Sequence, residues 1–196
     1  MADETSVCNL ALARLSETAI MSLEDESQAA RYCKRFYEQA RDAVLQSHAW
    51  NFATTRVLLS RLGASPIAGW AYQYALPADC LRILQVNGYE WHQRQGLFET
   101  EGRALLTDAE VANVRYVRQV TDANLFTPLF IEALAVKLAS LLAQPLTGSR
   151  DLPTQLLTEY ERITGPKARR LDAFEGRPKA KPAWVTSELV AARRRG

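Results

Sequence analysis

The 196-residue sequence contains only three cysteines and two histidines, and this scarcity excludes several kinds of site. Cys8, Cys33 and Cys80 are odd in number and widely spaced, so they fit neither a disulfide framework nor a zinc site. His48 and His92 lie in different predicted elements, and neither stands beside a Cys or Ser in a nucleophile motif. The sequence therefore predicts free, buried thiols in a reducing compartment, with no metal and no cofactor.

Long apolar runs and targeting signals are lacking as well. No apolar run approaches the roughly 20 residues that a membrane-spanning helix needs. The opening MADETSVCNL is acidic and has neither the basic region nor the apolar stretch of a secretion signal. We therefore expect synthesis in the cytosol and no membrane partner.

Catalytic motifs are also missing: there is no P-loop, GxGxxG, GxSxG or HExxH. Glu99 and Glu101 share one strand face and could act on a glycosidic bond. However, they flank a predicted hairpin turn, where solvated charges are normal. A ligand platform could be formed by Trp50, Trp70, Trp91 and Trp184, but core positions explain Trp50 and Trp70 better. We expect that the chain is not an enzyme and has no catalytic residue.

The charges are divided unevenly along a chain of ordinary globular composition, with 47% hydrophobic and 23% charged residues. Residues 1–161 hold 14 Lys/Arg against 19 Asp/Glu, a net charge of −5. Residues 162–196 hold 10 against 3, a net charge of +7. This asymmetry indicates that the C-terminal segment contacts something acidic, either a protein surface or nucleic acid. A merely solvated terminus is the alternative.

Two amphipathic helices are predicted near the N-terminus. The first has Asp3 or Thr5 as its cap, and its apolar residues follow i, i+3, i+4, i+7 spacing: Cys8, Ala11, Leu12 and Leu15. The second begins with a capping box formed by Asp25 and Gln28 and ends near Ser47–His48. Its buried side is lined by Ala29, Cys33, Phe36, Tyr37, Ala40 and Val44.

From Trp50 to about Asp122 the apolar period falls to two, which is typical of strands. In "WAYQYALPADCLRILQV" the aromatic residues alternate before Leu-Pro-Ala-Asp ends the strand. Asn87-Gly88 and Glu101-Gly102 are predicted hairpin turns, because such pairs tolerate positive φ. We expect an antiparallel meander of about five or six strands. The strand-like runs from which they would form are Thr54–Leu59, Trp70–Leu76, Leu81–Val86, Tyr89–His92, Leu97–Thr100, Arg103–Thr107 and a last run with Val114 and Tyr116 that could extend to Val120.

Helical patterning returns at Thr127-Pro128, a cap followed by proline at the first helical position. From Leu129 to Ala143 only two residues are charged, so this helix is predicted to be the buried centre of the core, ended by Pro145 and Gly148. The last helix is predicted to start near Asp151–Pro153, to be kinked or broken by Gly165-Pro166, and to continue over Lys167–Phe174. Its predicted buried residues are Leu156, Leu157, Tyr160 and Ile163.

The predicted fold class is therefore α+β. Residues 1–49 and 123–174 form a four-helix body, two helices from each part, and residues 50–122 form an inserted antiparallel β module. Residues 175–196 form an extended C-terminal arm, rich in proline and basic residues.

Several separated segments together resemble the tail tubular protein A family, the head-to-tail adaptor (connector) proteins of short-tailed bacteriophages. The segments are "CNLALARLSETAIMSLEDESQAARYCKRFYEQARDAVLQSHAWNFAT", "WAYQYALPADCLRILQV" and "TPLFIEALAVKLASLLAQPLTGS", in the family's order and within about residues 7–173. Gly165-Pro166 departs from the smoother last helix expected there. The most telling single positions include Trp50, Phe52, Tyr74, Pro77, Asp79 and Phe130.

This resemblance implies a structural virion protein at the head–tail interface. Such proteins form a ring, usually a dodecamer, beneath the portal protein; they extend the DNA channel and dock the tail nozzle protein, and DNA passes through the lumen without sequence-specific binding. The helical body would build the ring and the β module would dock neighbours or the nozzle. The arm would reach the portal through Trp and Arg anchors and apolar residues: Trp184, Val185, Leu189, Arg193, Arg194 and Arg195.

Two other functions remain open from the residues. A nucleic-acid-binding or regulatory protein would use the basic tail, and its DNA binding would weaken with salt. A peptidoglycan-degrading tail accessory protein would need Glu99 or Glu101 in a cleft that raises its pKa.

Overall fold

The computed structural model describes residues 3–64, 66, 69–90, 92 and 96–176, and within them the predicted α+β class is confirmed. The helices are α1 (Glu4–Ala13), α2 (Gln28–Ser47), α3 (Pro128–Thr147), α4 (Leu152–Glu159) and α5 (Gly165–Glu175). The strands are β1 (Thr54–Leu58), β2 (Tyr72–Ala75), β3 (Cys80–Val86), β4 (Tyr89–Glu90), β5 (Phe98–Glu101), β6 (Ala104–Thr107) and β7 (Asn113–Arg118).

Helix α1 begins with the predicted cap. The Asp3 carboxylate accepts from the backbone N–H of Ser6 at 2.7 Å, and the Ser6 hydroxyl oxygen accepts from the Asp3 N–H at 3.0 Å. These reciprocal bonds satisfy donors that the first helical turn leaves without partners. The apolar face of α1 is buried as predicted, with Cys8 fully enclosed.

The predicted capping box at the start of α2 is wrong. Ser27 is the N-cap, and its hydroxyl accepts from the Ala30 N–H at 3.1 Å. The Asp25 carboxylate instead accepts from the N–H groups of Met21 and Ser22, at 2.8 and 3.2 Å. Asp25 therefore closes the turn before the helix, a use of its short side chain that competes with capping. The predicted end of α2 at Ser47–His48 is confirmed.

Helix α3 is the central element of the helical body, as predicted. Thr127 caps it, accepting from the Phe130 N–H at 3.3 Å, and Pro128 occupies its first position. The predicted end is confirmed at Gly148, the left-handed C-cap with a φ of 69°, but Pro145 does not end the helix, since it lies inside the last turn and the helix continues to Thr147. A proline so close to a helix end costs one hydrogen bond without breaking the helix.

By length and composition α3 is also apolar enough to cross a membrane. Its most apolar window has a mean hydropathy of 1.6, and 56% of that window is buried inside the fold. The prediction that no apolar segment approaches a membrane-spanning length is thus wrong, although a buried core helix has the same composition. The absence of a membrane partner remains a prediction.

Helices α4 and α5 form one helical stretch that passes through a π turn, Tyr160–Thr164. Gly165-Pro166 does not end the helix, because the wider turn absorbs the proline. Leu156 and Tyr160 are buried as predicted and Leu157 is partly buried, but Ile163 is 62% exposed. The π turn rotates Ile163 away from the core, and Thr164 is buried instead.

The described part of the β module contains seven strands in two antiparallel sheets, more than the five or six predicted, with strand orders β1-β7-β3-β4 and β2-β6-β5. The hairpin at Asn87-Gly88 is confirmed, since both residues have positive φ, 49° and 87°. The second hairpin turn lies one residue later than predicted, at Gly102-Arg103, because Glu101 pairs with Ala104 within the ladder. Strand β4 ends at Glu90.

Two apolar clusters fill the molecule. The larger one surrounds α3 and includes Leu84 and Val117 from the four-stranded sheet. The smaller one lies within the β module and includes Tyr74, Leu105 and Val114. The larger cluster includes residues from both sides of the predicted boundaries at residues 49 and 123, so the apolar core does not divide there. The boundaries themselves remain predictions.

Candidate functional site

The last turn of α5 is fastened to the segment that follows α2. Asp172 is only 4% exposed. Its carboxylate accepts from the Asn51 backbone N–H, at 3.0 and 3.2 Å to the two oxygens. The Asn51 side-chain amide donates in turn to the Asp172 carbonyl at 2.6 Å. We call Asp172, Asn51 and His48 the α5 anchor, since together they fix the last turn of α5.

His48 completes the anchor as the residue that caps α2. Its Nε2 lies 3.1 Å from Asp172 Oδ2, and its ring meets Trp50 edge-on with 5.0 Å between centroids. Burial lowers the pKa of His48 from its usual value; Asp172 opposes this shift, and Arg169 and Arg82 add to it. Neutral imidazole is therefore the form that the folded protein favours near pH 7.

The π turn sets the direction in which α5 runs toward the anchor. The Gly165 N–H donates to the carbonyl of Tyr160, five residues back. A Cβ at residue 165 would lie 2.6 Å from that carbonyl oxygen, so only glycine fits without a shift of the backbone. The following Pro166 has no N–H to place. Gly165-Pro166 is thus a built feature of the helix.

An apolar groove of about 570 Å³ lies beside the anchor, between the start of α3 and the outer face of α5. Leu171 and Phe174 are each 48% exposed within it. Two cationic side chains border the groove. The Lys167 Nζ lies 3.7 Å from Glu132 Oε2, and the Arg170 Cζ lies 5.7 Å from the centroid of the Phe174 ring. We call this the α5 groove, lined by Leu129, Pro166, Lys167, Arg170, Leu171 and Phe174.

The residues predicted to bind the portal lie outside the described residues. All six follow Gly176: Trp184, Val185, Leu189, Arg193, Arg194 and Arg195. What the structure places is the helix that leads to them.

Three of the family-motif residues form one aromatic cluster in the helical core. Phe130 is fully buried and packs edge-on against Trp50 and Phe52, with 5.0 Å between ring centroids in both pairs. The Trp50 indole N–H donates to the Val44 carbonyl at 2.9 Å, which satisfies its polar atom. Trp50 is therefore in the core as predicted, whereas Trp70 is only half-buried and donates to Glu99 at 3.3 Å.

The other three motif residues organise the β module. The Tyr74 hydroxyl donates to the Ala109 carbonyl at 2.9 Å. Asp79 accepts from the Tyr116 hydroxyl at 3.1 Å, and the Pro77 carbonyl accepts from the Cys80 N–H at 3.0 Å. The motif residues thus lie in two groups that support the fold, and the structure does not bring them into one site.

Polar contacts from α2 hold the β module against the helical body. The Gln119 amide donates to Asp42 at 2.6 Å. Arg82 donates to the Gln46 carbonyl at 2.9 Å, and the Gln46 amide donates to the carbonyl of Leu81 at 3.2 Å. These bonds connect β3, and the residue that directly follows β7, to α2.

The β module carries a cavity of about 590 Å³. Its lining includes Cys80, Arg82, Glu90, His92 and Arg103. Burial raises the pKa of the Cys80 thiol to about 11, so the thiol stays protonated near pH 7 and is a weak nucleophile. The prediction of free thiols is confirmed: Cys8 and Cys33 are buried and Cys80 is half-buried.

Glu99 and Glu101 lie on β5, the edge strand of the smaller sheet, and both are exposed. Neither lines the cavity of the β module or the α5 groove. Among the described residues, no enclosed cleft of the kind that a glycosidase acid requires surrounds either carboxylate.

Sequence reasoning missed the α5 anchor, although a signal was present. Asp172 follows Thr164 and Ala168 at intervals of four residues, and all three side chains are buried on one face of the helix. An acid at such a position requires partners, and Asn51 and His48 supply them.

Comparison with known proteins adds no assignment: no protein-family model matches this sequence, and no curated protein matches it significantly.

Proposed function

We propose that this chain is a head-to-tail adaptor of a short-tailed bacteriophage. In this proposal it forms a ring beneath the portal protein, extends the DNA channel and docks the tail nozzle. The sequence resemblance described above suggests this function, and it implies a structural role in the virion without catalysis.

The observation that carries the proposal is the α5 anchor. A terminal arm that binds a large partner works best when its base has a fixed position, because the partner then has to order only the arm itself. The buried Asp172 carboxylate fixes the last turn of α5, and the segment 177–196 begins five positions after Asp172. That segment combines an aromatic anchor with six Lys/Arg and one acidic residue.

The two-part architecture also supports an adaptor. The helical body has α3 at its buried centre, and the β module joins it through Leu84 and Val117 of the shared apolar cluster and through polar bonds to α2. A body and a separate docking module allow one chain to contact ring neighbours and a further tail component at the same time.

Light scattering of the purified protein, alone and mixed with its cognate portal, tests the proposal. We expect a large complex of defined stoichiometry with the portal, and no such complex after deletion of residues 177–196. As a matched control, Glu175→Ala changes an exposed residue just before the arm and keeps the arm itself. Failure of the intact chain to associate with the portal would refute the adaptor function.

Nucleic-acid binding is a second candidate, and one observation favours it. Lys167 and Arg170 are exposed and Arg169 is partly exposed on α5, so they continue the basic character of residues 177–196 onto the described surface. This function predicts binding of duplex DNA by the protein without the portal. The affinity would fall steeply with salt and would be lost on deletion of residues 177–196.

A further inference from the structure

We propose that the α1–α2 loop of one copy, led by Met21, docks in the α5 groove of the next copy. The inference rests on the proposed function, since it names the two surfaces through which the ring would close. Three observations support it: an exposed apolar side chain on a turn with a fixed backbone, an apolar groove, and opposite charges on the two surfaces.

Met21 is 92% exposed, yet its backbone is held on both sides. The Asn9 side chain accepts from the Ile20 N–H at 2.8 Å and donates to the Ile20 carbonyl at 3.0 Å. The Asp25 carboxylate accepts from the Met21 N–H at 2.8 Å. A large apolar side chain presented by an ordered turn loses little backbone freedom on docking, and methionine adapts well to apolar grooves.

The α5 groove offers the matching apolar surface. Leu171 and Phe174 leave about half of their surface in solvent, and Leu129 closes the groove from the start of α3. An exposed apolar surface of this kind, bordered by charged side chains, is typical of a protein contact.

The charges of the two surfaces are opposite. Residues 15–30, which contain the loop, hold four carboxylates and no Lys or Arg, and the Glu24 carboxylate is paired with Lys34 Nζ of α2 at 2.7 Å. Of the residues that line the groove, Lys167 and Arg170 are cationic and none is acidic. Across the groove, Glu132 contributes one opposing charge near Lys167. The net complementarity favours association of loop and groove and disfavours groove-to-groove contact.

Within one chain the loop does not occupy the groove, since Met21 is 92% exposed and is not among the residues that line the groove. The loop must therefore dock in a different copy, and repeated contacts between unlike surfaces close into a ring when the rotation allows it.

Cysteine crosslinking tests this contact. Met21→Cys and Leu171→Cys are made as two single variants, mixed with the portal or concentrated alone, and treated with a short bismaleimide. We expect a crosslinked dimer only when the two single variants are mixed, and a ladder of multimers from the double variant. Leu58→Cys, at a residue 61% exposed on β1, replaces Met21→Cys in the matched control, and wild type measures the background from Cys80.

A charge exchange tests the same contact without new cysteines. Lys167→Glu with Arg170→Glu, or Glu24→Lys with Glu26→Lys, should each lower the assembled fraction at least about tenfold. Combining all four changes should restore most of it.

The outcomes separate this inference from the proposed function. Assembly on the portal without a 21–171 crosslink above the Leu58 control overturns the docking inference alone. A Leu171 crosslink to residues 177–196 instead of Met21 overturns it too, since the arm would then occupy the groove. Absence of any assembly, with or without the portal, overturns both.

Discussion

Asp172 and His48, 124 residues apart in the sequence, lie 3.1 Å apart through Oδ2 and Nε2 where the last helix meets the end of α2. The Asn51 backbone N–H donates to the same carboxylate. One buried acid thus collects donors from the chain just after α2 and sets where α5 ends.

Replacing Asp172 with Ala should destabilise the protein by about 2–4 kcal/mol, because the Asn51 N–H is left without its acceptor in a partly buried place. Equilibrium unfolding in urea measures this free energy. Glu175→Ala, on the exposed side of the same helix, should change it by less than about 0.5 kcal/mol. An Asp172 variant as stable as the Glu175 variant would contradict the role of the anchor.

Stability should fall as the pH falls from 7.5 to 5, in part through His48. Its pKa is lowered in the folded protein, so the unfolded chain, with a pKa near 6.5, binds more protons in this range. The contribution of His48 to the free energy of unfolding is fully present above about pH 6.5. It is lost as the pH falls through the lowered pKa that His48 has in the folded protein. Urea unfolding across this range should show a flatter pH dependence for His48→Gln than for wild type.

The exposed His92 provides the control for this measurement. His92→Gln should keep the wild-type pH dependence. Equal slopes for His48→Gln and wild type would show that burial of His48 does not couple folding to protons.

Gly165→Ala should destabilise the protein by about 1–3 kcal/mol, because the added Cβ would lie 2.6 Å from the Tyr160 carbonyl oxygen. The matched control is Gly63→Ala, where an added Cβ meets nothing within 4 Å; it should be neutral or slightly stabilising. Thermal unfolding followed by circular dichroism compares the two. Similar melting temperatures would mean that the π turn relaxes without cost.

Substitutions of Phe130 and Phe174 should have different effects on stability and on assembly. Phe130→Ala removes a fully buried ring from the aromatic cluster and should cost about 3–5 kcal/mol. Phe174→Ala changes a ring that is 48% exposed in the α5 groove and should cost less than about 1 kcal/mol. Urea unfolding and light scattering with the portal should show Phe174→Ala stable but poorly assembled. Normal assembly of that variant would argue against a contact at the groove.

Much of the fold could be predicted from local chemistry. Thr127-Pro128 marks the start of α3 and Asn87-Gly88 marks a hairpin, since each depends on a few neighbouring residues. The predictions were wrong where two nearby residues could fill the same role, such as helix cap or turn residue. Asp25 had a nearer use in its own turn, so Ser27 caps α2, and Glu101 extends β5 by one residue, which moves the second turn.

Long-range features were not predictable in the same way. The division of the strands into two sheets depends on pairing between segments far apart, such as β1 with β7. The exposure of Ile163 follows from a π turn that apolar periodicity does not reveal. The α5 anchor joins residues more than 120 positions apart, so the sequence shows only that Asp172 would need partners.

The π turn also makes the length of the last helix critical. A π turn holds one residue more than an α turn, so removing any single residue of 160–164 would rotate α5 by about 100° and draw it back by about 1.5 Å. Asp172 would then face away from Asn51, and Gly176 would lie on another side of the molecule. The position of Gly176, from which the C-terminal segment follows, is therefore set by the number of residues in the π turn, and a one-residue deletion there would shift it without changing the sequence of that segment.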